Sequence, residues 1–325
     1  MGLLVDGVWQ ERWYDTEASG GAFVRARSTF RDRVEADPGA RHPAAPGRYH
    51  LYVSLACPWA SRTLVFRKLK GLEDAISLSI VDPVMGPGGW TFTTAPGCIP
   101  DTVNGCRYLH EVYRLAKPDY TGRVTVPVLW DKVARTIVNN ESADIIRMLN
   151  SAFDAFATRA LPDQYPEALR PRIDALNARI YDTVNDGVYK AGFATRQDKY
   201  EAAVAALFAT LDDLERLLAG QRYLCGAAFT EADWRLFTTL VRFDAVYYGH
   251  FKCNLRRLVD YPNLWAYTRD LFQTPGVAET VNLDHIKTHY YRSHRTINPT
   301  GIVPVGPVID FSAPHGRERL SGAAA

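Results

Sequence analysis

Residues 48–71 read RYHLYVSLACPWASRTLVFRKLKG, and the change of pattern within them is the strongest architectural signal in the chain. RYHLYVSL is rich in strand-forming residues, whereas CPWASRTLVFRKLKG carries apolar residues at helical spacing and stops on Gly71. The reading is strand, then helix, with Cys57 and Pro58 at the junction. Pro58 suits a first helical turn because its missing N–H would have no intrahelical partner there anyway.

Downstream, AISLSIVDPV (Ala75 to Val84) predicts a second strand and YLHEVYRLAKPD (Tyr108 to Asp119) a second helix. VTVPVLWD and RTIVNN predict a hairpin pair, and ESADIIRMLNSAF (Glu141 to Phe153) an amphipathic helix with Ile145, Ile146 and Leu149 on one side. The resulting order βαβαββα is the thioredoxin-like arrangement. After Pro162 the texture changes to long helical patterns, IDALNARIYDTVNDGVYKAG, KYEAAVAALFATLDDLERLLAG, TEADWRLFTTLVRFDAVYY and NLWAYTRDLF, which predict a helical bundle. HYYRSHRTINPTGIVPVGPVIDF reads as an extended tail packing on the body, the first 45 or so residues as irregular, and the last dozen as disordered. The expected division is an N-terminal extension (1–46), a thioredoxin-like domain (47–155), a helical domain (163–282) and a C-terminal tail (283–325).

With 47% hydrophobic residues in 325, the chain can bury the core of two domains. Its apolar runs fall short of the roughly 18 residues a membrane span needs, and the N-terminus has no charged-then-apolar leader. The 38 basic and 36 acidic residues are interspersed, which leaves no basic tract for nucleic acid. Cys57, Cys98, Cys106, Cys225 and Cys253 are odd in number and scattered, unlike a disulfide framework. These features predict a cytoplasmic enzyme without membrane or nucleic-acid partners.

Cys57 is the candidate nucleophile. A helix start presents unpaired N–H groups and the positive end of the helix dipole to the sulfur, an environment that favours the reactive thiolate. In a dithiol oxidoreductase a second cysteine stands three residues on; here that position is Ala60, so a Cys57 mixed disulfide needs an outside thiol, for which glutathione is the abundant candidate. Pro127 stands at the start of a strand, where a proline is tolerated only for a special reason such as a cis turn; a cis Val126–Pro127 bond would leave the Val126 backbone to pair with a peptide ligand. Asn140-Glu141-Ser142 opens a helix, and the Ser142 hydroxyl with the first amides suits a carboxylate, although Ser142 taken alone reads as a plain N-cap.

YVSLACPWASRT (52–63), VTVPVLWD (124–131) with NNES (139–142), NDGVYKAGFAT (185–195), LVRFDAVYYGHFKC (240–253) and HYYRSHRTINPTG (289–301) together resemble the glutathionyl-hydroquinone reductases, the Xi class of glutathione transferases. The resemblance runs from about Phe23 to Ile302. It implies a thioredoxin-like domain followed by a transferase-type helical domain, Cys57 as catalytic nucleophile, and Trp90, Arg123, Val126, Glu141 and Ser142 as the residues holding glutathione. It further implies that Tyr189, Tyr247 and Tyr290 face the sulfur, that glutathione serves as co-substrate with no tightly bound cofactor or metal, and that the enzyme is a homodimer acting on aromatic glutathionyl-hydroquinones.

Other readings carry less. His285, His289 and His294 lack the glutamate of an HExxH motif and are expected to be hydrogen-bonded packing residues. Cys98 and Cys106 lie where the sequence departs from the family pattern; they read as inert thiols or as accessory thiols able to form a disulfide. Gly86-Pro87-Gly88-Gly89-Trp90 reads as a loop presenting Trp90, and Arg67, Lys68 and Lys70 as a solvated face. The rival functions are a broader thiol transferase or dehydroascorbate reductase, and a non-catalytic ligand-binding protein of the same fold.

Overall fold

The computed structural model describes residues 2–320. The chain forms two compact units. One comprises the chain up to Trp13, Ala26–Pro162 and Thr280–Val303; the other comprises Tyr14–Arg25, Asp163–Glu279 and the chain from Pro304 onward.

The first unit begins with a feature the sequence reading passes over. β1 (Leu3–Val5) and β2 (Val8–Gln10) form an antiparallel hairpin across Asp6-Gly7, both in the left-handed region (φ 47° and 75°). Asp-Gly is the residue pair that such a two-residue turn requires. The expected irregular N-terminus is thus corrected: β1 also pairs with β5 (Gly122–Arg123), giving a three-stranded sheet.

The main sheet holds β3 (Tyr49–Val53), β4 (Ile76–Ile80), β6 (Val128–Asp131) and β7 (Thr136–Asn139) in the order β4-β3-β6-β7. β3 and β4 run parallel with Tyr49 opposite Ile76, while β6 is antiparallel to both β3 and β7. With α1 (Pro58–Leu69), α2 (Leu109–Ala116) and α3 (Ser142–Ser151) interleaved, the expected thioredoxin-like order is present. All five β3 residues are buried, His50 among them. Its ring nitrogens meet the Ser77 and Ser79 hydroxyls at 2.7 and 2.9 Å, and burial pushes its pKa down to about 4. A polar residue is tolerated in this central strand because both nitrogens are satisfied.

Asp131 ends β6 and fastens the start of β3. It accepts from Arg48 (Nη2, 2.6 Å), His42 (Nδ1, 2.9 Å) and the amides of Val133 and Ala134. Burial by itself raises a carboxyl, but these donors outweigh it and hold Asp131 at about 2. The expected solvated face of α1 is a second correction. Lys70 is 2% exposed, its ammonium donating to Asn150 O in the last turn of α3 and to Asp154 just beyond it, and Arg67 donates to Ile76 O (2.7 Å) and Glu73 O (3.0 Å). Cations near the end of one helix are used to cap another and to tie the following strand.

α9 (Leu283–Ser293) also belongs to this unit, so the first residues of the predicted extended tail, His289 to Ser293, are helical. The Asn282 side chain caps it by accepting from His285 N–H at 2.9 Å.

The second unit contains α4 (Arg170–Ile180), α5 (Gly187–Gly192), α6 (Gln197–Gly220), α7 (Glu231–Leu240) and α8 (Pro262–Phe272). Two predicted continuous helices are interrupted by π-helical turns, Tyr181–Asn185 after α4 and Phe243–Tyr247 after α7. The final residues are not loose as far as they are described. Arg317 is 2% exposed, and its guanidinium donates to Leu218 O (3.1 Å), Gln221 O (2.6 Å) and Arg222 O (2.7 Å) at the end of α6. The remainder of the predicted disordered segment, 321–325, lies outside the described residues. Among the described residues no helix is long and apolar enough to cross a membrane.

Candidate functional site

Cys57 is half-buried at the N-cap of α1, with extended backbone (φ −78°, ψ 121°) and Pro58 at the first helical position. Its amide donates to Ser54 O at 3.2 Å, and its carbonyl accepts the Ser61 N–H at 2.9 Å to close the first helical turn. The thiol donates to Val126 O at 3.7 Å, and the Val126–Pro127 peptide bond is cis. β6 begins at Val128, so Val126 lies just outside the ladder, with its carbonyl directed at the sulfur. Each of the other four thiols, Cys98, Cys106 (to about 12), Cys225 and Cys253, is pushed up by burial, which disfavours their thiolates.

Ser142 is the first residue of α3 and not its cap. That role falls to Glu141, whose Oε1 accepts the Ala143 N–H at 3.1 Å while Oε2 accepts the Ser28 hydroxyl at 3.0 Å. The Ser142 hydroxyl instead accepts from Arg62 Nη1 at 3.3 Å; both residues are 2% exposed. Arg62 sits on α1 five residues beyond Cys57, with its guanidinium 4.6 Å from the Trp59 ring centroid. Sequence reasoning missed it. The only signal was an arginine among residues otherwise suited to a buried helix face.

Trp90 is buried and stacks on His289 (4.8 Å between centroids, 23° between planes). Two histidines of α9 dock on backbone carbonyls of the 83–97 loop, His289 Nδ1 at 2.8 Å from Pro83 O and His285 Nε2 at 2.8 Å from Pro96 O. Ser293 joins them by accepting the Met85 N–H at 2.9 Å. Tyr290, fully buried on the same helix, meets His289 and His294 edge-on at 5.4 and 5.3 Å. Thus Trp90 and Tyr290 flank one histidine. Arg123 stands apart from this group in the three-stranded sheet, donating to the carbonyls of Arg12 and Trp13.

In the second unit, Tyr189 of α5 and Tyr247 at the end of the second π-helical turn meet edge-on with centroids 6.1 Å apart. Phe251 stacks on Tyr247 at 5.7 Å and touches Tyr189 at 5.4 Å, while Phe193 and Phe23 complete the cluster. Gly192 is required here, since a Cβ would fall 2.2 Å from Phe251 Cγ. π-helical turns recur where a side chain must be offset from the regular helical position; among the described residues, Tyr181–Asn185 comes just before the helix that carries Tyr189, and Phe243–Tyr247 ends on Tyr247.

The first unit offers a nucleophile at a helix start and a second helix start backed by a buried guanidinium, an arrangement suited to thiol chemistry on a peptide thiol. The second unit carries a phenol-bearing aromatic cluster of its own. Among the described residues no group of three or more His, Cys, Asp or Glu is placed to hold a metal ion.

Comparison with known proteins agrees in both units. Residues 56–152 match the glutathione S-transferase N-terminal domain and residues 197–270 the C-terminal domain. The glutathionyl-hydroquinone reductase YqjG of Escherichia coli K12 is 58% identical over 98% of this chain and 99% of its own length, and its glutathione-bound structure superposes with a TM-score of 0.89 over 98% and 99% of the two chains at 54% identity. The glutathionyl-hydroquinone reductase PcpF of Sphingobium chlorophenolicum is 58% identical, covering 94% of this chain and 96% of that protein. A Xi class transferase from Natrialba magadii superposes with a TM-score of 0.92, at 52% identity, over 99% and 98% of the two chains.

Proposed function

The chain belongs to the glutathionyl-hydroquinone reductases, the Xi class of glutathione transferases, and on that premise we infer that it reduces glutathionyl-hydroquinones to hydroquinones at the expense of glutathione. The observation that carries this reading is 58% identity to a glutathionyl-hydroquinone reductase across 98% of the chain. The half-buried Cys57 at a helix start, beside the Val126 carbonyl, supports it chemically.

In the mechanism, Cys57 attacks as the thiolate, favoured by the helix N-terminus. A thioether to an aromatic ring resists cleavage because the leaving group would be a ring carbanion. Protonation of the sulfur-bearing carbon by Tyr189, with loss of a hydroxyl proton, converts the ring to its keto tautomer. Cys57 then forms a bond to the glutathionyl sulfur. The carbon–sulfur bond breaks, its electron pair restores the aromatic ring, and one proton is consumed overall. Glutathione thiolate next attacks the Cys57 disulfide, giving oxidised glutathione and the free Cys57 thiolate. Tyr247 and Tyr290 hydrogen-bond the thiolate or a substrate oxygen.

Glutathione is held by Trp90, Arg123, Val126, Glu141 and Ser142. Its γ-glutamyl carboxylate suits the start of α3, where Arg62 adds a buried positive charge next to the Ser142 hydroxyl. Glutathione acts as a co-substrate, and no tightly bound cofactor enters the scheme. The family also carries the reading of a cytoplasmic homodimer, for which the molar mass in solution is the direct check.

The test is anaerobic turnover of a glutathionyl-hydroquinone with added glutathione, following hydroquinone and oxidised glutathione together. Equal release of both by the wild type, lost on Cys57→Ala, is expected. No turnover by folded wild type would refute the reading and favour a different thiol transferase.

A further inference from the structure

The segment Tyr14–Arg25 is part of the second unit and brings a cation to the aromatic cluster. The Arg25 guanidinium lies 4.8 Å from the centroid of Tyr189 and 5.3 Å from that of Phe23. Arg25 Nε donates to Asp186 Oδ1 at 2.6 Å. Asp186 precedes α5, and its carbonyl accepts the Tyr189 N–H at 3.0 Å, so the carboxylate that holds the guanidinium is on the same turn as the tyrosine. The pair is sheltered, with side-chain exposures of 23% for Arg25 and 6% for Asp186.

We propose that Arg25 is a positioning residue for the reductase reaction: its fixed charge over the Tyr189 ring favours the phenolate and so makes Tyr189 a stronger proton donor. The proposal rests on the reading of Tyr189 as the acid that protonates the substrate ring. A cation over an aromatic face attracts the ring, and attracts it more strongly once the phenol has lost its proton. A phenol titrating near 10 is a weak acid at neutral pH, and proton transfer becomes more efficient as its pKa approaches the working pH. Around this pair stand Tyr247, whose ring centroid is 6.1 Å from that of Tyr189, the Asp186 carboxylate, already paired with Arg25, and the Tyr14 phenol near the guanidinium. Lys190, the next residue on α5, is turned to Asp182. Arg25 itself is lowered by burial but raised further by Asp186, Tyr14 and Tyr189, for a net rise that keeps it charged throughout the range of catalysis.

The experiment uses the full-length enzyme and two readouts. Phenolate absorbance is titrated in pairs of proteins differing only by Tyr189→Phe, which isolates the Tyr189 ionisation, in the wild type, Arg25→Met and Arg25→Lys. The Tyr189 midpoint is expected to rise on the order of one pH unit in Arg25→Met and to remain near wild type in Arg25→Lys. Because the acid works protonated, the alkaline limb of kcat should move upward with the midpoint, while KM for glutathione stays unchanged. If Arg25→Met does not fold, Arg25→Gln makes the same charge deletion. A Tyr189 midpoint unmoved by loss of the charge overturns the role of Arg25. Full turnover by Tyr189→Phe would overturn the proton-donor reading instead.

Discussion

Gly192→Ala isolates the packing that holds the two tyrosines of the second unit. An added Cβ would stand 2.2, 2.3 and 2.7 Å from Cγ, Cδ1 and Cδ2 of Phe251, against an ordinary carbon contact of about 3.5 Å. The deficit of roughly 1.3 Å falls on the root of a fully buried ring, which cannot swing aside as the tip of a flexible chain would. Phe251 is wedged between Phe193 (5.0 Å), Tyr247 (5.7 Å) and Tyr189 (5.4 Å), so moving it moves the tyrosines. Overpacking of this kind costs about 1–3 kcal/mol, from which the helix preference of Ala over Gly recovers about 0.5–1 kcal/mol. The expected result is a lower urea midpoint, with a net loss of about 1–2 kcal/mol, and a fall in kcat of roughly tenfold, since an ångström of misplacement at a reacting group is costly. KM for glutathione should change little. A variant more stable than wild type with unchanged kcat would show that helix propensity wins and refute the wedge.

Three further outcomes follow from the geometry. A carboxyl held at about 2 rather than 3.8 contributes roughly 2 kcal/mol above pH 4, and the contribution is lost as pH falls through 2; Asp131→Asn should therefore show a deficit of that size in urea unfolding at pH 7, shrinking to about half at pH 3. His289→Ala removes the ring beneath Trp90 and should raise KM for glutathione roughly two- to tenfold; His289→Asn, which keeps a donor for Pro83 O, should recover thermal stability but not KM. Arg317→Met strands the carbonyls at the end of α6 and should cost about 2–3 kcal/mol in the unfolding transition with turnover per folded enzyme unchanged.

The strand–Cys–Pro–helix reading of 48–71 holds because each of its signals is local: strand formers, a proline that suits a first turn, and Gly71, which takes the left-handed conformation (φ 61°). The β1–β2 hairpin was equally legible in Asp6-Gly7, but its partner strand lies over a hundred residues away at Gly122–Arg123, and such pairing leaves no local trace. Lys70 shows the limit of charge as a guide to exposure, because its tip is satisfied by the end of a helix 80 residues on. Arg62 and Ser142 meet for a similar reason, through the packing of α1 against α3. Helical periodicity placed Tyr189 and Tyr247 on helices, yet it could not show the π-helical turns, which span only five residues each, too few for a change of period to be read from the apolar pattern. Extended-tail chemistry around His294 to Val303 also obscured the helix before it, where Asn282 supplies the cap.

The most direct test is a single turnover without free glutathione: enzyme and one equivalent of glutathionyl-hydroquinone are mixed anaerobically, quenched in acid, and followed by chromatography of the hydroquinone and mass analysis of the cysteine-bearing peptides. The account predicts one hydroquinone released per active site and one glutathione in disulfide linkage at Cys57, removed on adding glutathione. Hydroquinone release with Cys57 unmodified, or with the adduct on Cys98 or Cys106, would contradict it.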